Sequence, residues 1–169
     1  MMRRGLLALA VLASMTAGTV AQDAAKLPFK MSDYPVEIRK ALSYAPEECK
    51  RQGGGKVTFG PDTVRKFDLN GDGRDDYVVS LQETECSSYV TAFCGTAGCG
   101  IDFFVTLPNG KIRNVFSDRI RGYEILGSEK AGVVRFQLHG SYCGGSGNPS
   151  CYKEHKITGK PFVFKEPKD

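Results

Sequence analysis

The sequence predicts an α+β domain in which one or two N-terminal helices precede a mostly antiparallel, meander or barrel-like β-sheet stapled by disulfides. The chain has 169 residues, of which 41% are hydrophobic. This is enough for one domain of ordinary size and too little for two independent cores. Helix signals end near Gly53, and short strand-like runs follow. The six cysteines are even in number and all lie beyond residue 48.

The first residues have the three-part layout of a secretory signal peptide. Arg3 and Arg4 form a basic start, an apolar run follows at 6–15, and Thr19 and Ala21 are small residues suited to a cleavage site before Gln22. The apolar run is too short to cross a bilayer of about 30 Å as a helix, which argues against an uncleaved anchor. We therefore expect a signal peptide at 1–21, export to the periplasm or secretion, and no stable membrane insertion after cleavage.

After a flexible lead-in at 22–31, the sequence predicts a single domain over 32–169 that begins with a helix. Ser32 or Asp33 suits the N-cap, and Pro35 suits the first turn. The apolar side of this helix consists of Val36, Ile38, Ala41 and Leu42. Pro46 ends the helix or starts a second short one, and Gly53 suits its stop.

Beyond Gly55 the chain predicts short strands rich in β-branched and aromatic residues. They are expected at 57–59, 63–67, 77–81, 89–93, 101–107, 111–116, 123–126, 133–138, 152–157 and 162–164. Asn109-Gly110, between two of these runs, is a strong hairpin signal. Because the spacing leaves no room for crossover helices, the strands should pair antiparallel.

In an oxidising compartment, an even set of cysteines is expected to form disulfides. The six are Cys49, Cys86, Cys94, Cys99, Cys143 and Cys151. Proximity in sequence favours Cys94–Cys99 and Cys143–Cys151, which leaves Cys49–Cys86 to join the helical part to the sheet. A competing set exchanges Cys86 and Cys99. A zinc site made from Cys94, Cys99, Cys143 and a histidine is a further alternative, although its spacing is not the tight Cys-x2-Cys of structural sites.

The segment 68–76 has the spacing of a cation-binding loop. The predicted calcium ligands are the side chains of Asp68, Asn70, Asp72 and Asp76 and the backbone carbonyl of Arg74. Calcium binds six to eight oxygen ligands, and Gly73 permits the sharp turn that such a loop needs. Four carboxylates close to one arginine also repel each other, which a divalent ion relieves.

Followed by Tyr77-Val78-Val79, this segment resembles the strand–loop–strand calcium loop of FG-GAP (integrin-type) repeats. The resemblance implies a structural Ca²⁺ ion held in a β-hairpin. The chain contains one copy of this loop, so the resemblance does not imply the propeller fold that several copies build. Val79 stands where an EF-hand requires glutamate. The alternative is an ordinary acidic turn, since Asn-Gly and Asp-Gly are common turn formers.

Other polar residues give weaker indications of function. His139 could act as a base but is more typical of a strand-end hydrogen-bond partner, and His155 lies in a charged run typical of a solvated strand face. Ser141 and Ser146 offer hydroxyls near His139, without a Gly-x-Ser-x-Gly motif. The Gly-rich segment 144–150 is either a recognition tip on a rigid scaffold or a long turn closed by its disulfide.

The net charge does not indicate a nucleic-acid partner. It is +4 at pH 7, and Arg3 and Arg4 contribute two of these charges from the predicted signal peptide. The other basic residues are scattered among acidic ones. We expect no nucleic-acid partner, and no Walker or dinucleotide-binding motif is present.

Two functional classes remain, and they are distinguished by whether the fold forms a catalytic pocket or an exposed binding patch. The first is a non-enzymatic envelope-accessory or binding module whose partner is an envelope protein or a glycan. It should present an exposed apolar or aromatic patch beside a rigid loop. The second is a small envelope hydrolase or hydrolase inhibitor that uses the disulfide-closed Gly-rich loop. An enzyme should have a pocket that joins His139 to a carboxylate such as Asp102 or Asp118. Because candidate catalytic groups are few, the sequence favours the binding module.

Overall fold

The computed structural model of the chain describes residues 29–127, 132–147 and 149–167. In it, two short helices cover one face of a central antiparallel sheet, and a second sheet covers the other face. The predicted α+β class is confirmed. The predicted signal peptide at 1–21 lies outside the described residues, as does most of the lead-in.

The helical layer consists of α1 (Val36–Leu42) and α2 (Tyr44–Arg51). A 3-10 turn at Met31–Asp33 precedes them, so α1 begins after Pro35 and not at Ser32 or Asp33. Phe29, near the end of the predicted lead-in, stacks on Tyr34 with 5.4 Å between the ring centroids. The chain therefore packs against the helical layer before the first helix begins. None of the described helices is long and apolar enough to cross a membrane.

Ten strands follow in the described part of the chain. They are β1 (Val57–Phe59), β2 (Val64–Phe67), β3 (Asp76–Ser80), β4 (Thr84–Cys86), β5 (Cys94–Gly95), β6 (Gly98–Thr106), β7 (Ile112–Ile120), β8 (Gly122–Ile125), β9 (Val133–Leu138) and β10 (Cys151–Lys156).

All the strand pairs are antiparallel, and they form three sheets. In the central sheet β2 pairs with β3 and β3 with β6, while β5 and β7 both pair with β6. The second sheet has the order β10-β9-β8, and β1 pairs with β4. The hairpin predicted at Asn109-Gly110 is confirmed, because this turn joins β6 to β7.

Two predicted strands are absent from the described residues. The segment 89–93 forms turns instead, in which the Tyr89 N–H donates to Cys86 and the Ala92 N–H donates to Tyr89. The segment 162–164 is irregular, although the Phe162 N–H donates to the Val115 carbonyl at 2.9 Å. Its aromatic rings pack against Phe116 and Phe136. Aromatic content, which favours strands, here serves core packing without a ladder of hydrogen bonds.

Strand β6 connects the two main cores. Ile101, Phe103 and Val105 contribute to the core under the second sheet, with Phe116 and Phe136 among its other members. Phe104 contributes to the opposite core, beneath α1. Because successive side chains of a strand point to opposite faces, a nearly continuous apolar run in β6 serves both layers.

The disulfides have the pairing that proximity in sequence predicted: Cys49–Cys86, Cys94–Cys99 and Cys143–Cys151. No cysteine in the described structure is free, so the competing pairing and the zinc site are both wrong. Cys49 and Cys86 are both buried and join α2 to β4. Disulfides of this kind are typical of proteins in oxidising compartments.

Removing the longest disulfide loop should destabilise the protein most. Cys49–Cys86 spans 37 residues and Cys94–Cys99 spans 5. Loop-closure entropy predicts a loss of about 4 kcal/mol for Cys49→Ala with Cys86→Ala, and about 2 kcal/mol for Cys94→Ala with Cys99→Ala. Denaturant unfolding of both variants measures the difference. An equal loss in the two variants would contradict the entropic explanation.

All six cysteines are paired, so alkylation of the unreduced wild-type protein should label no thiol.

Candidate functional site

The predicted calcium loop lies in the hairpin between β2 and β3. The two strands pair from Val64 with Val79 to Phe67 with Asp76, so the loop begins at Asp68. Gly71 and Gly73 have φ angles of 79° and 82°, in the left-handed region that glycine adopts without strain. The strand–loop–strand position predicted from the sequence is therefore confirmed, while the ion itself remains a prediction.

The loop curls around the carboxylate of Asp68. Its Oδ1 accepts the N–H groups of Gly71 at 2.8 Å and Asp72 at 3.0 Å, and its Oδ2 accepts that of Gly73 at 2.9 Å. The Asn70 side chain also bonds to Asp72, because its Nδ2 donates to Asp72 Oδ2 at 2.7 Å. These bonds hold the oxygen-bearing side chains of residues 68–72 in one turn.

Asp76 fastens this loop to the centre of the domain. Its side chain is fully buried, Oδ2 accepts the Leu69 N–H at 2.9 Å, and Oδ1 accepts the Thr106 N–H at 2.7 Å. Leu69 is itself part of the core under the second sheet. Burial raises the pKa of Asp76 above its ordinary value, the two N–H donors oppose this rise, and the carboxylates of Asp72 and Asp68 add to it.

Two basic side chains offset part of the negative charge. Arg74 pairs with Asp72, and its Nε donates to the Thr106 carbonyl at 3.1 Å. Lys66, on β2, pairs with Asp75 at 3.1 Å. Within the segment 68–76 Arg74 is the one basic residue, and strand pairing is what brings Lys66 beside Asp75. Charge repulsion among the carboxylates is therefore weaker than the sequence suggests.

The five predicted ligands all lie in this one loop. Among the described residues, no group of three or more His, Cys, Asp or Glu side chains is placed to hold a metal ion. The donor set consists of carboxylate, amide and carbonyl oxygens, which is the chemistry that calcium prefers. The residue types thus suit a calcium ion, but the guanidinium group of Arg74 is paired with the carboxylate of Asp72.

The histidine and serine candidates form local contacts. His139 Nδ1 lies 2.8 Å from Ser141 Oγ, at the start of a 3-10 turn over Gly140–Cys143. His155 stacks on Phe162 with ring centroids 3.8 Å apart, so it packs on an aromatic ring rather than forming part of a solvated face. Burial lowers the pKa of His155. Ser146 is exposed.

A groove of about 660 Å³ lies between the helices and the central sheet. Its apolar lining includes Ala41, Tyr44, Leu81, Phe93, Ile101 and Phe104. Asp102 and Asp118 also line the groove, but His139 does not. Asp118 is engaged elsewhere, because its Oδ2 accepts the Tyr142 hydroxyl at 2.8 Å. Burial and this carboxylate raise the pKa of Tyr142 to about 12. The pocket expected of an enzyme, joining His139 to Asp102, is therefore not formed by this groove.

Asp102 is the polar centre of the groove. It is half-buried on β6, and Asn114 donates to its Oδ1 at 3.1 Å. Burial raises the pKa of Asp102, although hydrogen bonds from Ser117 and Asn114 act in the opposite direction. Sequence reasoning named Asp102 only as a possible partner of His139. A single acid within the apolar run Ile-Asp-Phe-Phe-Val was the signal that could have identified it.

A second, polar cleft of about 420 Å³ lies beside the disulfide-closed loop. Arg121 and Tyr152 are part of its lining, and Tyr152 is 61% exposed. Arg121 holds the loop, since it donates to the Gly147 carbonyl and to Ser150 Oγ, both at 2.8 Å. An exposed aromatic side chain thus stands beside an anchored loop. Sequence reasoning missed Arg121.

Comparison of the chain with protein-family models, with curated proteins and with solved structures found no match.

Replacing Asp76 should destabilise the fold strongly even without an ion. Asp76→Ala leaves the N–H groups of Leu69 and Thr106 without their acceptor, which we expect to cost about 3 kcal/mol. Asp75→Ala is the matched control, because this exposed carboxylate has Lys66 as its one ion-pair partner among the described residues and should contribute less than about 1 kcal/mol. Urea unfolding in EDTA measures both, and equal losses would contradict the role assigned to Asp76.

At pH 7, Asp102→Asn should leave the free energy of unfolding unchanged or increase it. Burial holds the pKa of Asp102 above its usual value, so the charged form is disfavoured in the folded protein. The folded protein then binds the proton more tightly than the unfolded chain does. The stability of the wild type relative to Asp102→Asn should therefore rise as pH falls through that pKa.

Thermal melts from pH 3 to 7 check this prediction. Asp118→Asn is the control, because it weakens the hydrogen bond from Tyr142 and should cost about 1 kcal/mol. A melting temperature at pH 7 that falls further for the Asp102 variant than for the control would show that the carboxylate stabilises the fold.

Proposed function

We propose that this chain is an exported, non-enzymatic binding module whose β2–β3 hairpin holds a structural calcium ion. The observation that carries the proposal is the arrangement of Asp68, whose carboxylate accepts three backbone N–H groups from residues 71–73. These bonds pre-form the sharp curl that a loop must adopt to direct successive oxygens towards one ion. An ordinary two-residue turn requires no such central carboxylate.

The ligands proposed for Ca²⁺ are the side chains of Asp68, Asn70, Asp72 and Asp76 and the carbonyl of Arg74. A carboxylate oxygen that accepts one N–H group retains a lone pair for a cation. Oδ2 of Asp68 and both oxygens of Asp76 are in this state, so their hydrogen bonds do not exclude the ion. Arg74 competes for Asp72, and calcium binding displaces it. The ion orders the hairpin. Because Asp76 also accepts the N–H of Thr106 on β6, the ordered loop is held against the central sheet.

The binding surface that we propose is the loop 144–150 together with Tyr152. The loop is closed by Cys143–Cys151, and Arg121 holds it at Gly147 and Ser150, which reduces the conformational entropy to be lost on binding. Tyr152 supplies an exposed aromatic face, which suits either a protein surface or the apolar face of a sugar. We propose an envelope protein or a glycan as the partner and the periplasm or the exterior as the location.

The enzymatic alternative has less support. His139 is bonded to Ser141 within one turn, and the groove that contains Asp102 does not include it. His139 and Ser141 bring a base and a hydroxyl together, but a hydrolase also needs a substrate pocket that both side chains line, and neither lines the groove or the polar cleft.

Calcium should stabilise the oxidised mature protein (22–169). With a dissociation constant of about 10⁻⁴–10⁻³ M, typical of extracellular sites, 10 mM calcium should add about 1.5–3 kcal/mol and raise the melting temperature by several degrees. Asp72→Asn should lose most of this rise. The measurement is a melting curve in EDTA, in calcium and in magnesium.

Asp75→Asn is the matched control, since it removes a carboxylate of the same loop that is not a proposed ligand. It should retain the calcium response. If calcium produces no shift in the wild type, or if magnesium produces an equal one, the loop is an acidic turn closed by Arg74 and Lys66, and the calcium proposal fails.

A further inference from the structure

The carboxylate of Asp102 lies where the helical layer ends above the central sheet. Gly100, Asp102 and Phe104 alternate along β6 and all line the groove. Phe104 is covered, since it packs in the core beneath α1 with Ile38 and Leu42. The helices contribute Glu37, Lys40, Ala41 and Tyr44 to the groove wall, and Leu81 lies over Gly100. The floor of the groove on β6 therefore has one carboxylate between Gly100 and Phe104.

The partners of this carboxylate are neutral. Asn114 donates to Oδ1, and Ser117, which is directly opposite on β7, forms the other hydrogen bond. Lys40 and Arg119 line the same groove. Neither forms an ion pair with Asp102, and no other basic side chain does so within the described ranges. The carboxylate is thus oriented by hydrogen bonds while its charge is left uncompensated.

An uncompensated charge beside apolar surface has a free-energy cost that a bound cation removes. Tyr44, which is 45% exposed, provides apolar surface in the same groove, whereas Leu81, Phe93 and Phe104 are almost fully buried. A ligand that carries a positive charge on an apolar stem fits both features at once, because the stem covers the aromatic surface while the charge reaches the carboxylate. The volume of about 660 Å³ lies within the range of about 300–1,000 Å³ that is usual for small-molecule sites.

We propose that this groove binds a small organic amine, whose ammonium group pairs with Asp102 and whose apolar stem lies against the exposed ring of Tyr44. An ammonium group fits better than a guanidinium group. Arginine-like groups prefer two parallel bonds to both carboxylate oxygens, and the hydrogen bonds from Asn114 and Ser117 leave fewer lone pairs free for that pattern. The site is separate from the calcium loop and from the surface around Tyr152, so it goes beyond the function proposed above.

The test uses hexylammonium chloride as the probe and 1-hexanol as its uncharged counterpart. Each is titrated at pH 7 into the ¹⁵N-labelled oxidised mature protein, and amide shifts are followed at Gly100, Asp102 and Ser117. We expect saturable shifts with hexylammonium in the millimolar range and at least tenfold weaker binding of hexanol. A tenfold difference corresponds to about 1.4 kcal/mol.

Asp102→Asn separates the charge from the shape of the groove. It should reduce hexylammonium affinity at least tenfold and leave hexanol binding unchanged. Glu37→Gln, which removes a carboxylate from the wall of the same groove, should retain hexylammonium binding. The spectrum of each variant without ligand shows whether it is folded.

Three outcomes overturn the proposal. They are the absence of saturable shifts up to 100 mM hexylammonium, equal affinity for hexylammonium and hexanol, and undiminished hexylammonium binding by a folded Asp102→Asn protein. The first excludes the site, and the other two show an apolar groove that does not recognise charge.

Discussion

The burial of β6 on both faces is the constraint on which the rest of the structure depends. Its odd-numbered side chains from Ile101 to Val105 fill the core under the second sheet, and Phe104 fills the core under α1. A strand buried on both sides needs a cover on each side, so the helices and the second sheet are both obligatory. Asp76 uses the same strand, through the Thr106 N–H, to hold the hairpin loop.

The helical layer is small, and this limits what it can cover. Two helices of seven and eight residues are too short to be stable alone, and the Cys49–Cys86 disulfide joins the second one to β4. The first helix covers Phe104 but leaves the sheet open around Asp102. The groove is therefore a consequence of layer size, and its floor includes an acidic residue, Asp102, whose pKa is raised by burial.

The loop 68–76 illustrates how tertiary contacts change the meaning of a charge cluster. In sequence, its carboxylates face one arginine. In the fold, Lys66 pairs with Asp75, and backbone N–H groups bond to Asp68 and Asp76. Hydrogen bonds and ion pairs thus offset part of the repulsion that favoured a divalent ion. The case for calcium rests instead on the oxygen donors and on the curl around Asp68.

The sequence by itself determined the α+β class and the hairpin at Asn109-Gly110, because both depend on neighbours close along the chain. It favoured the disulfide pairing without deciding it, since Cys49–Cys86 spans 37 residues and was reached only as the remaining pair. Only the tertiary structure decided that 162–164 packs as irregular chain, that Arg121 anchors the loop 144–150, and that Asp102 lies in an open groove. These features depend on contacts between residues far apart in sequence. Local propensity and spacing carry no information about which distant surfaces meet.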